Sequence, residues 1–234
     1  MIYNIVPPCL GWGARNGDLI AVCNIIEYLR RTENDKDLKF HMTSGAVNSA
    51  EYVQKFYDYL LQTTDYFSTE KGEADVPWKN VNIWDFRAIT GDLVTFKNTK
   101  ESKNKIVIFP VLDAPYNVYR NWTTDLLQKL LRDNADKFEE KYLCLISPIQ
   151  GLDLCGFEIS TDFMTNLEHI MTCNTFIGGD TGTTHFAATL DKGPENLIYY
   201  YSNRALLHSF PFHVLNGKGK MNLYWQDFEG TTFQ

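Results

Sequence analysis

The sequence contains no apolar run that could cross a membrane. Its 234 residues include no stretch close to the ~18 consecutive apolar residues that a spanning helix needs. The N-terminus also has no basic region followed by an apolar segment and a cleavage site, so no secretory signal peptide is predicted. We therefore expect a cytoplasmic protein.

Cysteine is scarce, and its spacing indicates neither disulfides nor a metal site. The five cysteines are odd in number and show no paired metal-ligand spacing. His169 and Cys173 are four residues apart, but two ligands do not make a site. We expect all five thiols to be reduced and buried. They are Cys9, Cys23, Cys144, Cys155 and Cys173.

Positive charge is also in deficit, which argues against a dedicated nucleic-acid binder. The chain has 22 lysines and arginines against 29 acidic residues, a net charge of −7. This balance still leaves room for a local basic patch in the first half.

Two functional motifs are missing as well. The sequence has no G-x-S-x-G, the nucleophile motif of serine hydrolases, and no phosphate-binding G-x-x-x-x-G-K-[ST].

What the sequence does contain is strands alternating with helices, which predicts α/β lobes with parallel sheets and right-handed crossovers. The predicted strands cover residues 2–6, 38–42, 81–84, 105–110, 142–146, 176–178 and 196–201. The predicted helices cover residues 19–31, 49–62, 123–138, 162–173 and 181–190. Residues 63–80 are predicted as loop and the polar residues 97–104 as a linker. The pattern restarts after this linker, so we predict two Rossmann-like lobes, residues 1–100 and 105–234, facing a central cleft.

Residues 176–188, FIGGDTGTTHFAA, are typical of a buried strand that leads into a helix. Asp180 stands where an N-cap is expected, and Thr181 to Thr184 would supply the unpaired N–H groups of the first turn. These groups and the helix dipole attract anions, and Gly182 would let a ligand approach the backbone closely. The alternative is a capped turn that binds nothing.

The N-terminal strand is followed by a glycine-rich loop and a second amphipathic helix. The loop, residues 11–18, nearly matches the dinucleotide-binding pattern G-x-G-x-x-G. Its third glycine falls one position late, so this fingerprint is not met.

Two of these stretches resemble the signatures of one family. Residues 16–21, NGDLIA, with a helix ending in Leu29-Arg30-Arg31, are similar to the N-terminal signature of the heptosyltransferase-like glycosyltransferases (glycosyltransferase family 9). Residues 177–188 are similar to the same family's C-terminal signature. The strand ending at Pro110, with Tyr116 and the segment Arg120-Asn121-Trp122, resembles the start of the family's donor lobe.

The resemblance implies a small version of the two-lobed glycosyltransferase B architecture. Residues 1–100 would form the acceptor-side lobe, and residues 105–234 would bind a nucleoside-diphosphate-sugar donor. The sugar would pass to a hydroxyl group of a saccharide, with inversion and without a metal. The nucleotide-sugar is a substrate, so the resemblance implies no cofactor.

The resemblance also assigns roles to individual residues. Asp18 matches the family's acidic residue and would be the general base, although it could instead cap the first helix. Gly13, Asn16 and Gly17 would form the acceptor-side loop around it.

On the donor side, Thr181, Gly182 and Thr183 would hold the diphosphate. His185 would donate to a phosphate or to the sugar, unless it is a buried core histidine. The family's usual lysine is absent, and Arg120 is the nearest basic substitute unless it is a surface arginine. The remaining candidates each have two readings. Asp180 is either an N-cap or a donor-sugar ligand, and Trp12 and Trp122 either stack on the ligand or belong to the core.

Three other functions remain open at this stage. The acceptor could be a hydroxymethylated base in viral DNA rather than a saccharide. The protein could be a nucleotide-sugar 2-epimerase, which uses no acceptor. It could also be a nucleotide-binding protein without catalytic activity.

Overall fold

The computed structural model describes residues 1–6, 13–77, 94–112, 120–146, 149–202 and 219–224. Within these residues the chain forms five helices and nine strands. No helix among them is long and apolar enough to cross a membrane. Trp12, Tyr116 and the predicted strand at 81–84 lie outside the described residues.

The chain divides into two compact units. Unit 1 is Met1–Lys97 with Thr189–Asp191, and unit 2 is Asn98–Ala188 with Lys192–Gln234. Each unit has its own sheet, and every strand pair in both sheets is parallel. The predicted α/β class with two parallel sheets is therefore confirmed.

Unit 1 contains a three-stranded sheet in the order β2-β1-β3. Its elements, in chain order, are β1 (Ile2–Val6), α1 (Asn16–Thr32), β2 (Lys39–Met42), α2 (Glu51–Thr63) and β3 (Ala74–Pro77). β1 is the central strand, and Ile5 at its buried end pairs with Met42 on one side and Val76 on the other.

The prediction that residues 63–80 are loop is wrong, because β3 lies within them. The buried side chain of Asn4 ties this segment to β1. Its Nδ2 donates to the Gly72 carbonyl at 3.0 Å and to Asp75 Oδ1 at 2.7 Å, and its Oδ1 accepts from the Gly72 N–H at 2.6 Å. The strand forms by pairing with β1, and four residues that end in proline are too short a run to predict a strand from the sequence.

Unit 2 contains a six-stranded sheet in the order β6-β5-β4-β7-β8-β9. Its elements, in chain order, are β4 (Lys103–Phe109), α3 (Thr124–Asn134), β5 (Glu140–Cys144), β6 (Glu158–Ser160), α4 (Phe163–Thr172), β7 (Cys173–Gly178), α5 (Gly182–Thr189), β8 (Asn196–Ser202) and β9 (Lys220–Tyr224). Sequence analysis did not predict β6 and β9. They are the two edge strands, and β6 has only three residues, two of them exposed.

The strand order of unit 2 is that of a doubly wound dinucleotide-binding fold. The order of the strands reverses between β4 and β7, and ligands of such sheets bind at this switch point, beyond the carboxyl ends of the strands. α3 packs on one face through Leu127, Leu130 and Leu131, against Ile106 and Ile177 of the two central strands. The opposite face of the same two strands contacts α4.

The predicted linker, residues 97–104, contains the boundary between the two units, which falls between Lys97 and Asn98, but it also contains residues that belong to the structure of unit 2. Asn98 is buried, and its Nδ2 donates to the carbonyls of Met171 at 2.8 Å and Lys192 at 2.6 Å. Lys103 is already part of β4. Asn98 therefore stabilises unit 2, because it provides the hydrogen bonds that two backbone carbonyls need. The polar residues around it in the sequence give no sign of this role.

The thiols differ from the expectation at one position. Cys23, Cys144 and Cys173 are free and buried, whereas Cys155 is free and partly exposed in a turn. Cys155 has φ +50°, so the turn holds it in the left-handed region. Cys9 lies outside the described residues.

Candidate functional site

The switch point of unit 2 brings together the two segments that follow β4 and β7. The segment after β7 contains Gly179, Asp180 and Thr181 and leads directly into α5. The segment after β4 leads from Val111 to Arg120 and Trp122. The two segments contact each other, because the Trp122 N–H donates to the Val111 carbonyl at 2.7 Å and Gly179 packs against both residues.

The first turn of α5 is organised by Thr181. Its carbonyl accepts from the His185 N–H at 3.2 Å, and its Oγ1 lies 3.4 Å from the Thr184 nitrogen, which donates to it. Thr181 therefore takes the N-cap position, one residue later than the predicted cap Asp180. The hydroxyl of Thr181 also lies 2.7 Å from that of Thr183 and 3.2 Å from that of Thr184. This arrangement gives α5 a polar N-terminus beside the switch point, and the first N–H groups of a helix are the ones that bind anions.

Asp180 forms an ion pair with Arg120. Arg120 Nε lies 2.9 Å from Asp180 Oδ2, and this contact joins the segment after β4 to the segment after β7. The Asp180 side chain is 7% exposed and that of Arg120 is 32% exposed. A surface arginine with no fixed position is therefore excluded, and Asp180 is not the helix cap.

Tyr201 is a member of this group that sequence analysis missed, because residues 196–201 were predicted only as a strand. Burial raises the pKa of Tyr201 well above its ordinary value. The Asp180 carboxylate raises this pKa further, whereas Arg120 lowers it, so both charged residues are close to the phenol. Register could have indicated this position, because Tyr199 pairs with Gly178 and Tyr201 lies two residues further along β8.

Gly179 is required where the two segments meet. A Cβ at this position would lie 2.5 Å from Val111 Cγ2 and 2.8 Å from Trp122 Nε1. Trp122 itself is 5% exposed, donates from Nε1 to the Tyr200 carbonyl at 3.2 Å and packs edge-on against the Tyr200 ring. Trp122 is thus a core residue that shapes the site, and stacking on a sugar or base is excluded by its burial.

His185 lies in the first turns of α5 and is partly exposed. Its neighbours in the helix, Thr184 and Phe186, are fully buried. His185 is therefore not fully buried, and the alternative of a hydrogen-bonded core histidine stays open. Its imidazole lies near the N-terminus of α5, and its role toward a ligand stays a prediction.

The candidate residues of unit 1 lie at the start of α1. Asn16 and Gly17 are helical rather than part of a loop, because α1 begins at Asn16 instead of the predicted residue 19. Asp18 is the third helical residue, and its Oδ2 accepts from the backbone N–H of Arg15 at 2.9 Å. Asp18 is therefore not the N-cap, although its carboxylate does support the first turn.

Gly13 has a packing reason to be glycine. A Cβ there would lie 2.5 Å from the Asn48 nitrogen and 2.5 Å from the Val47 carbonyl carbon. The adjacent Ala14 exchanges backbone hydrogen bonds with this second loop, donating to Ala46 at 2.7 Å and accepting from Asn48 at 3.0 Å. The loops that follow β1 and β2 are thus held together at the carboxyl ends of their strands.

No three histidine, cysteine, aspartate or glutamate side chains come together as a possible metal site in the part of the chain that the structure describes. Whether the reaction is metal-independent stays a prediction. The chemistry that the described groups of unit 2 offer is anion binding, through the Arg120 guanidinium, the hydroxyl of the partly exposed Thr181 and a helix N-terminus.

Comparison with known proteins gives one structural match. No family model matches the chain, and no curated protein matches it in sequence. The chain is similar in structure to the ADP-heptose LPS heptosyltransferase II of E. coli, with a TM-score of 0.54 and 8% sequence identity. The match covers 95% of this chain and 89% of the heptosyltransferase chain.

The chain has the fold of a heptosyltransferase. The predicted resemblance to that family, which rested on residues 16–31 and 177–188, is confirmed at the level of the fold. A structural match at 8% identity shows the fold alone, so the roles of individual residues remain proposals.

Proposed function

We propose that the protein is a glycosyltransferase that moves a sugar from a nucleoside diphosphate to a hydroxyl group of a saccharide. The observation that carries this proposal is the position of the C-terminal signature. Residues 178–185 lie at the switch point of a doubly wound sheet, where such folds bind nucleotides, and Arg120 meets them there. The heptosyltransferase fold supports the same conclusion.

In this proposal unit 2 binds the donor. The diphosphate lies at the N-terminus of α5, where the N–H groups of Gly182 and Thr183 and the hydroxyl of Thr181 hydrogen-bond its oxygens. Arg120 neutralises its charge, and His185 donates to a phosphate oxygen or to the sugar. These contacts strengthen as negative charge develops on the departing diphosphate, which is how they would lower the barrier.

Unit 1 provides the acceptor side in this proposal, and Asp18 is the general base. The acceptor oxygen forms a bond to the anomeric carbon as the bond from that carbon to the diphosphate breaks. The proton of the acceptor hydroxyl passes to the Asp18 carboxylate, and the bonding electron pair leaves with the diphosphate. This single displacement inverts the anomeric carbon and needs no metal.

A thermal-shift panel of ADP, GDP, UDP and CDP tests donor binding. A ligand that binds only the folded state raises the melting temperature, so we expect one of the four to produce a clear rise. Arg120→Gln should reduce this rise, and Arg132→Gln on the exposed side of α3 is the matched control that should retain it. The proposal fails if none of the four nucleotides shifts the wild-type protein.

Incubation with the corresponding nucleotide-sugar distinguishes the activities. A transferase releases little nucleotide from the donor alone and much more when a saccharide acceptor is added. Conversion of the sugar without an acceptor would instead indicate a 2-epimerase, and binding without any conversion would indicate a nucleotide-binding protein. Transfer only to DNA that contains hydroxymethylated bases would identify viral DNA, rather than a saccharide, as the acceptor.

A further inference from the structure

We propose that Asp180 is a positioning residue that holds the Arg120 guanidinium in place for the diphosphate. This inference rests on the proposed function, because it concerns how the same donor site is built. It changes the role of Asp180 from a helix cap or sugar ligand to a residue that acts through another side chain.

The ion pair has the geometry that this role requires. Asp180 Oδ2 contacts Arg120 at Nε, 2.9 Å away, which is the nitrogen nearest to the aliphatic part of the side chain. Between these two atoms the contact is electrostatic and lacks the alignment of a hydrogen bond, so it holds the charged head of Arg120 beside Asp180 through the attraction of opposite charges. The carboxylate is the buried member at 7% exposure and the arginine is the more exposed at 32%, so an incoming anion meets the cation first.

Asp180 is itself held by its neighbours on both sides. Gly179 packs against Val111 and Trp122, which leaves no space for a Cβ. Thr181 donates from its N–H to the Gly179 carbonyl at 2.9 Å and then begins α5. The carboxylate is therefore fixed relative to the N-terminus of α5. The ion pair in turn holds the Arg120 side chain next to this carboxylate.

Arg120 is also tied to the same framework at its other end. Trp122, two residues later, is buried and donates to the Val111 carbonyl and to the Tyr200 carbonyl. Tyr201 lies close to both charges and, with its raised pKa, stays a neutral phenol. It cannot replace the carboxylate, so Asp180 supplies the negative charge of this group.

The inference and simple charge repulsion predict opposite effects of Asp180→Asn on diphosphate affinity. A buried carboxylate beside an anion site repels the anion, so charge alone predicts that Asp180→Asn tightens diphosphate binding. If Asp180 orients Arg120, the same substitution weakens binding, because the arginine no longer presents its planar fork in a fixed direction. Asparagine has nearly the same volume as aspartate, so packing around Gly179 is retained.

A double-mutant cycle with Asp180→Asn and Arg120→Lys tests the inference. The probes are inorganic pyrophosphate and whichever of ADP, GDP, UDP and CDP binds the wild-type protein best. We expect each single substitution to weaken nucleotide binding roughly 10-fold and the double variant to be little weaker than Arg120→Lys alone, because coupled residues are not additive. Glu168→Gln, which removes an exposed carboxylate elsewhere in unit 2, is the charge control and should leave binding unchanged.

A second measurement needs no substitution at Asp180. The Nε–H of Arg120, assigned in the NMR spectrum by its loss in Arg120→Lys, should exchange slowly with water in the wild-type protein and shift when pyrophosphate is added. Exchange as fast as that of a free arginine would overturn the inference. So would tighter binding by Asp180→Asn, or effects in the cycle that simply add.

The result also separates this inference from the proposed function. If the wild-type protein binds none of the probes, the proposed function fails and the positioning role fails with it. If the wild-type protein binds a nucleotide and Asp180→Asn binds it more tightly, the donor site stands and only the role of Asp180 is wrong.

Discussion

The two units each place a Gly-Asp pair at the start of a helix, yet the two aspartates do different work. In unit 1 the helix α1 begins at Asn16, before the pair, so Asp18 lies in the first turn and accepts from the Arg15 N–H. In unit 2 the helix α5 begins at Gly182, after the pair, so Asp180 lies outside the helix and pairs with Arg120. The same dipeptide thus supports a helix in one unit and an arginine in the other.

The units also differ in how their helices begin. In unit 2, α3 and α4 have side-chain caps, since Thr123 Oγ1 accepts from the Leu126 N–H and Asp162 Oδ2 accepts from the Thr165 N–H. In unit 1 the N-cap residues of α1 and α2 are Arg15 and Ala50, whose side chains make no capping hydrogen bond. The local contact at the start of α1 comes instead from its third helical residue, because Asp18 Oδ2 accepts from the Arg15 N–H at 2.9 Å.

The largest effect should come from Asp18→Asn. If Asp18 is the general base, we expect turnover to fall by about 100-fold or more, while nucleotide affinity stays within a few-fold. Asparagine can still accept a hydrogen bond from the Arg15 N–H, so the start of α1 should be retained. Turnover and nucleotide dissociation constants measured on the same preparation check this.

Asp180→Asn is the matched comparison for the same experiment. It should act mainly on nucleotide binding rather than on the proton transfer. If Asp18→Asn kept most of its turnover, Asp18 would only stabilise the start of α1. The two Gly-Asp pairs would then differ in structure, but Asp18 would have no part in proton transfer.

Alanine at Gly13 and Gly179 should destabilise the two units unequally. At Gly13 the new Cβ would meet the backbone of Val47 and Asn48, which cannot move without displacing a loop. At Gly179 it would meet the ends of two side chains, Val111 and Trp122. We expect a loss of about 1–3 kcal/mol for Gly179→Ala and a loss at or above the top of this range for Gly13→Ala.

Chemical denaturation followed by hydrogen exchange of each unit measures these two losses separately. Gly151→Ala is a control for backbone conformation, because Gly151 has φ +78° but no atom within 4 Å of a Cβ there. Any loss of stability in Gly151→Ala would therefore come from backbone strain alone. A larger loss for Gly179→Ala than for Gly13→Ala would show that side-chain ends at the switch point are held more rigidly than the backbone of unit 1.

Substitutions at the helix caps should have smaller and opposite effects in the two units. Thr123→Ala and Asp162→Ala each remove a capping hydrogen bond, so we expect each to lower the free energy of unfolding by about 1 kcal/mol. Ala50→Ser adds a potential cap to α2 and should raise stability by about 0.5–1 kcal/mol. Urea denaturation midpoints give the three values, and no gain from Ala50→Ser would mean that α2 is already fixed by its packing.

The smallest effect should be a pH dependence from His169, which is only half-buried. Burial lowers the pKa of His169, and the Lys105 ammonium, whose Nζ lies 3.5 Å from its Nδ1, lowers it further. The unfolded chain then takes up a proton near pH 6.5 that the folded protein resists. Stability from this source is present above about pH 6.5 and is lost as the pH falls toward the lower folded pKa.

His169→Gln should therefore reduce the loss of stability between about pH 7.5 and 5.5. Urea denaturation at several pH values across this interval compares the variant with the wild type. Equal pH dependence in the two proteins would show that folding does not shift the pKa of His169.

Sequence analysis predicted the regular elements well where they are long and apolar. β1, β4, β7 and β8 lie where apolar runs predict strands, and α4 lies within the predicted helix 162–173. It missed β3, β6 and β9 at the sheet edges, although it predicted β2, which is also an edge strand. Pairing with one neighbour can form an edge strand whose own composition gives little signal.

Candidate residues could be named from the sequence, but their contacts could not. The pattern of residues 176–188 predicts a strand, a turn and a helix with an anion-binding N-terminus, because that pattern is local. The pairing of Asp180 with Arg120 joins positions 60 residues apart in the printed sequence, and the proximity of Tyr201 depends on strand register. No local rule determines either contact.

What the sequence determined by itself is the alternation of strands and helices, the parallel sheets that follow from it and the two segments that resemble a heptosyltransferase. The first two follow from periodicity within short windows, and the resemblance rests on two local motifs. Only the tertiary structure decided where α1 and α5 begin, which aspartate supports a helix and which supports an arginine, and why Gly13 and Gly179 have no side chain. Those outcomes depend on which loops meet at the carboxyl ends of neighbouring strands, and that is set by sheet order rather than by neighbours in the chain.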